Sequence, residues 1–286
     1  MTESSDEQNS SACPSCGAAF TGPYCSQCGE KALNVSEKSI RNFIGTVLNE
    51  ATSLDGKFLK TLRLMLRRPG EMSYQYMNGK RIPFYKPVSM FFIANLLYFL
   101  FPLFNSLNSS LHVQMNMLPY SELATRLVEQ HIAAANIDLR TFEIQYNQQS
   151  TNMAKMVLIL MVVMFSVPLM LMNYTKKMFY SDHLLVSLEA CSLIILLNFV
   201  GLIWVVKLSI VAAGWAGFDI RFVLQDSYVS PISMALLLYI FYQLERRAYS
   251  QSIWKAIGKS AILVLGFYFV LQLYRASLFF ITLLTL

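Results

Sequence analysis

Leu184–Val206 reads LLVSLEACSLIILLNFVGLIWVV, an apolar run with a single charge, Glu189. About 20 apolar residues carry an α-helix across the bilayer core. Inside lipid a chain must satisfy its own backbone, so such a run forms a helix. Working outward, four more segments read the same way: 88–104, with Pro102 late in it, 156–172 around Pro168, 228–244 behind Pro231, and 261–284. The chain therefore reads as an all-α integral membrane protein with about five transmembrane helices. Composition agrees: 55% of the 286 residues are apolar and 14% are charged, against about 25% charged in soluble domains. Mean hydropathy is +0.44. Met1–Ser11 is polar and acidic with no apolar run, so no cleaved signal is expected and the first span would be an uncleaved anchor. The net charge of +6 does not point to nucleic acid, because the basic residues cluster beside the spans.

Ahead of the spans stand Cys13-Pro14-Ser15-Cys16-Gly17 and Cys25-Ser26-Gln27-Cys28-Gly29. Four thiolates at this spacing close a tetrahedron around zinc with no open position. Cys13, Cys16, Cys25 and Cys28 are the expected ligands of a structural zinc. Gly17 and Gly29 can take positive φ, so each turn can fold back on its sulfurs. Disulfides, or iron in the same cage, are the alternatives. Disulfides need an oxidising compartment, which the topology below argues against. A closed cysteine site supplies no catalysis. The ribbon's expected role is to present a surface to a cytosolic partner.

Residues 1–35 thus form a disordered tail and a C4 zinc ribbon, and 36–87 amphipathic interfacial helices. Ile40, Phe43, Ile44, Val47, Leu48 and Ala51 lie on one helical stripe. A second helix is predicted from Ser53 to Arg68. There Phe58, Leu59, Leu62, Met65 and Leu66 share a face flanked by Lys57, Lys60, Arg63, Arg67 and Arg68. This pattern suits the headgroup layer of an anionic membrane; packing on a neighbouring helix is the alternative. Pro69-Gly70 ends it, and a short helix follows to Asn78. The transmembrane domain is 88–286, with an extracytoplasmic loop at 105–155.

Lysine and arginine in short flanks set orientation. Taking successive sides, fourteen lie on the side of the first flank and five on the other. The N-terminus is expected inside and, with five spans, the C-terminus outside. The cysteines then lie on the reducing side.

Arg68-Pro69-Gly70, Tyr76-Met77-Asn78-Gly79-Lys80-Arg81 and Tyr85-Lys86-Pro87 precede the first span. With the ribbon ahead of them, they resemble a bacterial multi-pass membrane family, classed as a domain of unknown function, with the pattern R-P-G…Y-x-x-G-K-R…Y-x-x-P. The resemblance implies an inner-membrane architecture and no activity. Ser181–Val186 also resembles a family stretch in which a histidine opens a span. Glu189 and Cys191 stand where relatives place further histidines, so no multi-histidine metal site is expected.

Arg68, Lys80, Arg81 and Lys86 are candidates for a lipid-phosphate contact; plain topology determination is the alternative. Charges inside spans are costly and mark functional candidates. His183, Glu189, Asn198 and Arg275 are read as a polar seam for a substrate or proton, or else as an ion pair holding helices together. The three histidines are scattered, and neither a nucleophile elbow nor a phosphate-cradling loop occurs. A non-enzymatic scaffold or adaptor is the leading expectation. A small transporter or channel using Glu189 and Arg275 is second. A membrane enzyme acting on anionic lipid through Lys80, Arg81 and His183 is third.

Overall fold

The computed structural model describes residues 11–12, 16–20, 26–27, 56–80, 83–100, 107, 109–175, 178–215, 217–218, 223 and 226–286. The chain divides into two units, Met1–Gly56 and Lys57–Leu286. In the first, β1 (Ser11–Ala12) pairs antiparallel with β2 (Ala19–Phe20), Ser11 opposite Phe20 and Ala12 opposite Ala19. Cys16 and Gly17 precede β2. Gly17 has φ +73° and Cys16 is exposed. Cys13, Cys25, Cys28, Gly29, the expected helix over 36–51 and Arg81 lie outside the described residues.

The second unit is helical. Its elements are α1 (residues 56–67), α2 (Glu71–Met77), α3 (Pro87–Leu100), α4 (Leu111–Asn116), α5 (Ser121–Ala135) and α6 (Leu139–Asn173). Then come α7 (Tyr180–Leu193), a π-helical segment (Ile194–Gly201), α8 (Leu202–Trp215), α9 (Asp226–Arg247) and α10 (Ile253–Leu284). Four helices are long and apolar enough to cross a bilayer: Leu139–Asn173, the continuous rod Tyr180–Trp215, Ser227–Arg247 and Ile253–Leu284. The chain is thus a multi-pass membrane protein by the length and composition of its helices. The expected first span is represented by α3 as far as Leu100, and 101–104 lie outside the described residues.

The surface supports that reading. Leu96, Leu171, Val205, Leu208, Leu265 and Phe269 are all at least 60% exposed. Large side chains turned outward from several helices suit lipid rather than water. Inside, Phe165, Phe241 and Phe267 from α6, α9 and α10 meet with centroids 5.3 to 5.9 Å apart. α6 and α10 run antiparallel in a fixed register. Asn173 meets Lys259, Pro168 meets Gly266, and Gln149 meets Thr285.

Two differences from the sequence reading are instructive. The polar stretch over 105–155, where Leu123, Leu127, Val128 and Ile132 suggest one helix, carries that helix as α5 and also α4 and the first half of α6. α6 begins at Leu139, with Asp138 capping it through Thr141. At 35 residues it is about 52 Å long, so its polar first half extends beyond an apolar layer of about 30 Å. That half builds a cap with α4, α5 and the end of α10 around Leu111, Ala124, Val128, Phe142, Tyr146 and Phe279. The third span, expected as a regular helix, contains the π segment. A Cβ on Gly201 would sit 2.9 Å from the Leu196 carbonyl oxygen, so that register needs glycine.

Candidate functional site

α1 ends where Pro69 interrupts the helical pattern, and Glu71 N–H donates to the Arg68 carbonyl to close a turn. Gly70 has φ +87°, a conformation that glycine adopts at little cost. It is also pressed against α9: a Cβ there would lie 3.1 Å from Leu244 Cα and 3.2 Å from Ala248 N. The turn aims the free N–H groups at the start of α2 into the bundle, where Glu189 receives them. Gly70 N–H donates to Oε1 at 2.8 Å; Ser73 N–H and hydroxyl donate to Oε2 at 2.9 and 2.5 Å. Glu189 and Ser73 are both 0% exposed. A buried carboxylate must be paired or heavily hydrogen-bonded, and helix N-terminal N–H groups need acceptors. Each side of this contact answers the other's need. Glu189 therefore caps α2 from a helix more than a hundred residues away.

Around this latch lies a collar of polar groups from the same end of the bundle. His183 Nδ1 is 3.0 Å from the Tyr249 hydroxyl, and the two rings stack with centroids 5.6 Å apart. Burial, aided by Glu245 and Asp182, pushes the Tyr249 phenol well up, so it stays neutral. Asn173 donates to Glu245 Oε1 at 2.7 Å and accepts from Lys259 Nζ at 2.5 Å. Lys259 Nζ is 3.8 Å from Glu245 Oε2. Arg247 reaches the Pro69 carbonyl at 3.4 Å. These bonds tie together the ends of α6 and α9 and the start of α10.

The predicted site residues are therefore divided. His183 and Glu189 belong to this collar. Asn198 sits in the π segment and donates to the Ser233 carbonyl of α9 at 3.3 Å. Arg275 lies at the opposite end, within electrostatic reach of Tyr98, Tyr120, Tyr268 and Tyr274. It is sixteen positions beyond Lys259 on α10, about 24 Å along a helix. The structure does not bring Glu189 and Arg275 together. Arg68, Lys80 and Lys86 are exposed.

The basic helix α1 packs on the bundle along one side and leaves its basic side chains exposed. Thr61 and Met65 are buried, and Phe58 and Leu62 pack on the core. Leu59 and Leu66, expected on that packed face, are 55% and 38% exposed. Thr61 and Tyr85 link α1 to the segment before α3: Tyr85 N–H donates to Thr61 Oγ1 at 2.9 Å, and the Phe58 and Tyr85 rings meet edge-on.

Sequence reasoning missed Ser73, Asn173, Glu245, Tyr249 and Lys259. Glu245 carried a readable signal. It falls on the stripe of Ile240, Phe241, Leu244 and Ala248, all buried, where a charge needs a reason. Ser73 and Tyr249 carried none. No described group of three or more His, Cys, Asp and Glu residues could hold a metal ion. A groove of about 530 Å³, lined by Leu197, Gly201, Val205, Ile232, Leu236 and Tyr239, is almost wholly apolar and lies between the π segment, α8 and α9.

Residues 55–99 match the family described as "Protein of unknown function (DUF3667)". The matched stretch runs through α1, the Arg68-Pro69-Gly70 turn, α2 and α3, while Glu189, which fastens that turn, lies outside it. No curated protein and no solved structure matches the chain.

Proposed function

We propose that this chain is a non-enzymatic, multi-pass protein of the bacterial inner membrane whose cytosolic face is a docking platform. The observation that carries the reading is the Glu189 latch. It makes the basic α1–α2 segment a fixed part of the bundle, and it engages the very carboxylate that a transport seam or an acid–base step would need free. Transport along Glu189, Asn198 and Arg275 is for that reason the lesser reading.

Several features support the details. Exposed Lys57, Lys60, Arg63, Arg67, Arg68, Lys80 and Lys86, with Leu59 and Leu66 among them, suit the headgroups of anionic lipids. Arg68, Lys80, Arg81 and Lys86 are the proposed phosphate contacts. α3 runs antiparallel to the apolar half of α6, with Asn95 donating to the Lys155 carbonyl, which favours a fifth crossing with the N-terminus inside and the C-terminus outside. The β1–β2 register and the positive φ of Gly17 suit the first knuckle of a zinc ribbon, with Cys13, Cys16, Cys25 and Cys28 as ligands. Bound zinc would supply folding energy to so small a unit, not chemistry.

The test is in-cell crosslinking with mass spectrometry, comparing wild type with a Cys13→Ser/Cys16→Ser variant at matched membrane levels. A cytosolic protein captured by wild type and lost in the variant is the expected result. Identical, partner-free profiles would overturn the platform reading.

A further inference from the structure

The Gly70 turn is held by two helices. Glu189 of α7 accepts its N–H. The last turn of α9 presses on it with main chain: a Cβ on Gly70 would meet Leu244 Cα at 3.1 Å, and Ala248 N and the Gln243 carbonyl oxygen at 3.2 Å. The Arg247 guanidinium adds a bond to the Pro69 carbonyl. Main chain has no rotamer with which to move aside, and close-packed interiors transmit strain. A shift of that α9 turn is therefore passed to Gly70.

The α9 turn is itself fixed through Glu245, which stands between Leu244 and Ala248 in the chain. Glu245 Oε1 accepts from Asn173 of α6, and Asn173 Oδ1 accepts from Lys259 of α10. Glu245 Oε2 receives no hydrogen bond among the described residues and has the Lys259 ammonium 3.8 Å away. Just beyond, Gln251 N–H returns to the Glu245 carbonyl, and Arg246 donates to the Gln251 carbonyl at 2.6 Å. Ser250 is held at φ +52° between them, a conformation that a side chain makes costly. The Glu245 side chain is 0% exposed and that of Lys259 22%. The charge on which the buried carboxylate depends thus comes from a side chain that solvent and ligands can reach.

We propose that these contacts form one clamp, in which the Glu245–Asn173–Lys259 network sets how firmly the Gly70 turn is held and Lys259 is the control point. A buried carboxylate that loses its cation is strongly destabilising where it stands, and relieving it moves the α9 turn. The α1–α2 segment is then freed on the α9 side, with Glu189 as its remaining hold. An anion that drew Lys259 outward would act as removal of its charge does. The inference rests on the platform reading for its purpose, since it names how that surface is regulated. Its measurement needs no partner protein, so the clamp and the platform can fail separately.

The experiment is limited proteolysis of the full-length protein in detergent with chymotrypsin, well below the unfolding midpoint of every variant. Cleavage after Tyr74 and Tyr76 in α2 reports on the platform, and cleavage after Tyr120 beside α5 reports on the rest of the bundle. Lys259→Met should speed cleavage in α2 about fivefold and leave cleavage after Tyr120 unchanged. Lys259→Arg, which keeps the charge, should stay close to wild type. In a Gly70→Ala background, where the contact with α9 is already spoiled, Lys259→Met should add less than about twofold, because residues coupled through a shared backbone shift are not additive. The proposal is overturned if Lys259→Met leaves α2 as protected as in wild type, if cleavage after Tyr120 rises equally, or if the two substitutions act independently.

Discussion

The two ends of the bundle both bury polar groups and differ in how fully they partner them, although Glu245 Oε2 at the collar also has no hydrogen bond among the described residues and only Lys259 Nζ 3.8 Å away. At the collar, Glu189 accepts three hydrogen bonds, and Asn173 bridges Glu245 and Lys259. At the far end, Gln114, Tyr146 and Tyr274 hold donors that the described chain does not answer. A buried group with its partners present is a fastening; one without them is either a cost or half of a binding site. The difference separates architecture from candidate function better than residue type does. A glutamate inside a span looks more functional than a tyrosine, yet here the glutamate is the structural member.

The sharpest way to break this contrast is Glu189→Ala. It strands two backbone N–H groups and a hydroxyl in a buried site, and should cost about 3 kcal/mol or more. Thermal unfolding in detergent would measure the loss, and limited proteolysis between Arg68 and Lys80 should become fast. Unchanged stability would mean that the latch is not a fastening. Gly70→Ala tests the same contact from the other side. It forces a side chain into positive φ and against Leu244 and Ala248, for about 2 kcal/mol, with the same proteolytic signature. Lys259→Met probes the second fastening. It removes a half-buried cation from Asn173 and Glu245 and should cost about 1 kcal/mol, read as a lower unfolding midpoint. A larger loss would mean that Glu245 depends on this lysine more than its bond to Asn173 suggests.

The smallest effect belongs to the far end. The Thr141 hydroxyl and backbone N–H hold the Asp138 carboxyl below its usual range. A carboxylate lowered in the folded state contributes stability above its unfolded pKa and loses it as pH falls through the folded value. Acidification should therefore fray the start of α6 slightly, seen as faster amide exchange at Thr141 and Phe142 with no change around Gly70.

Much of the fold could be read because hydropathy reports burial in lipid directly. The apolar half of α6, the rod from α7 to α8, α9 and α10 all declared themselves as spans. Hydropathy could not show that α6 starts at Leu139, because its polar half continues as helix outside the apolar layer. Of the expected span over 88–104, α3 shows the part up to Leu100, and 101–104 lie outside the described residues. Glu189 was singled out correctly as unusual, but its expected partner was Arg275. Its actual partners are backbone N–H groups, which every residue but proline carries and no residue type announces. The trace they leave is Gly70, readable as a turn but silent about the helix that crowds it.

The Glu189 latch also bears on the order of events during synthesis. Gly70 emerges from the ribosome 119 residues before the carboxylate that will hold it. At the usual rates of translation the gap is on the order of ten seconds. Throughout that interval the turn and the helix it opens exist without their acceptor. The nascent segment must wait on the membrane surface or in the grip of another protein, and the Gly70 turn and α2 reach their final arrangement only after α7 has been inserted.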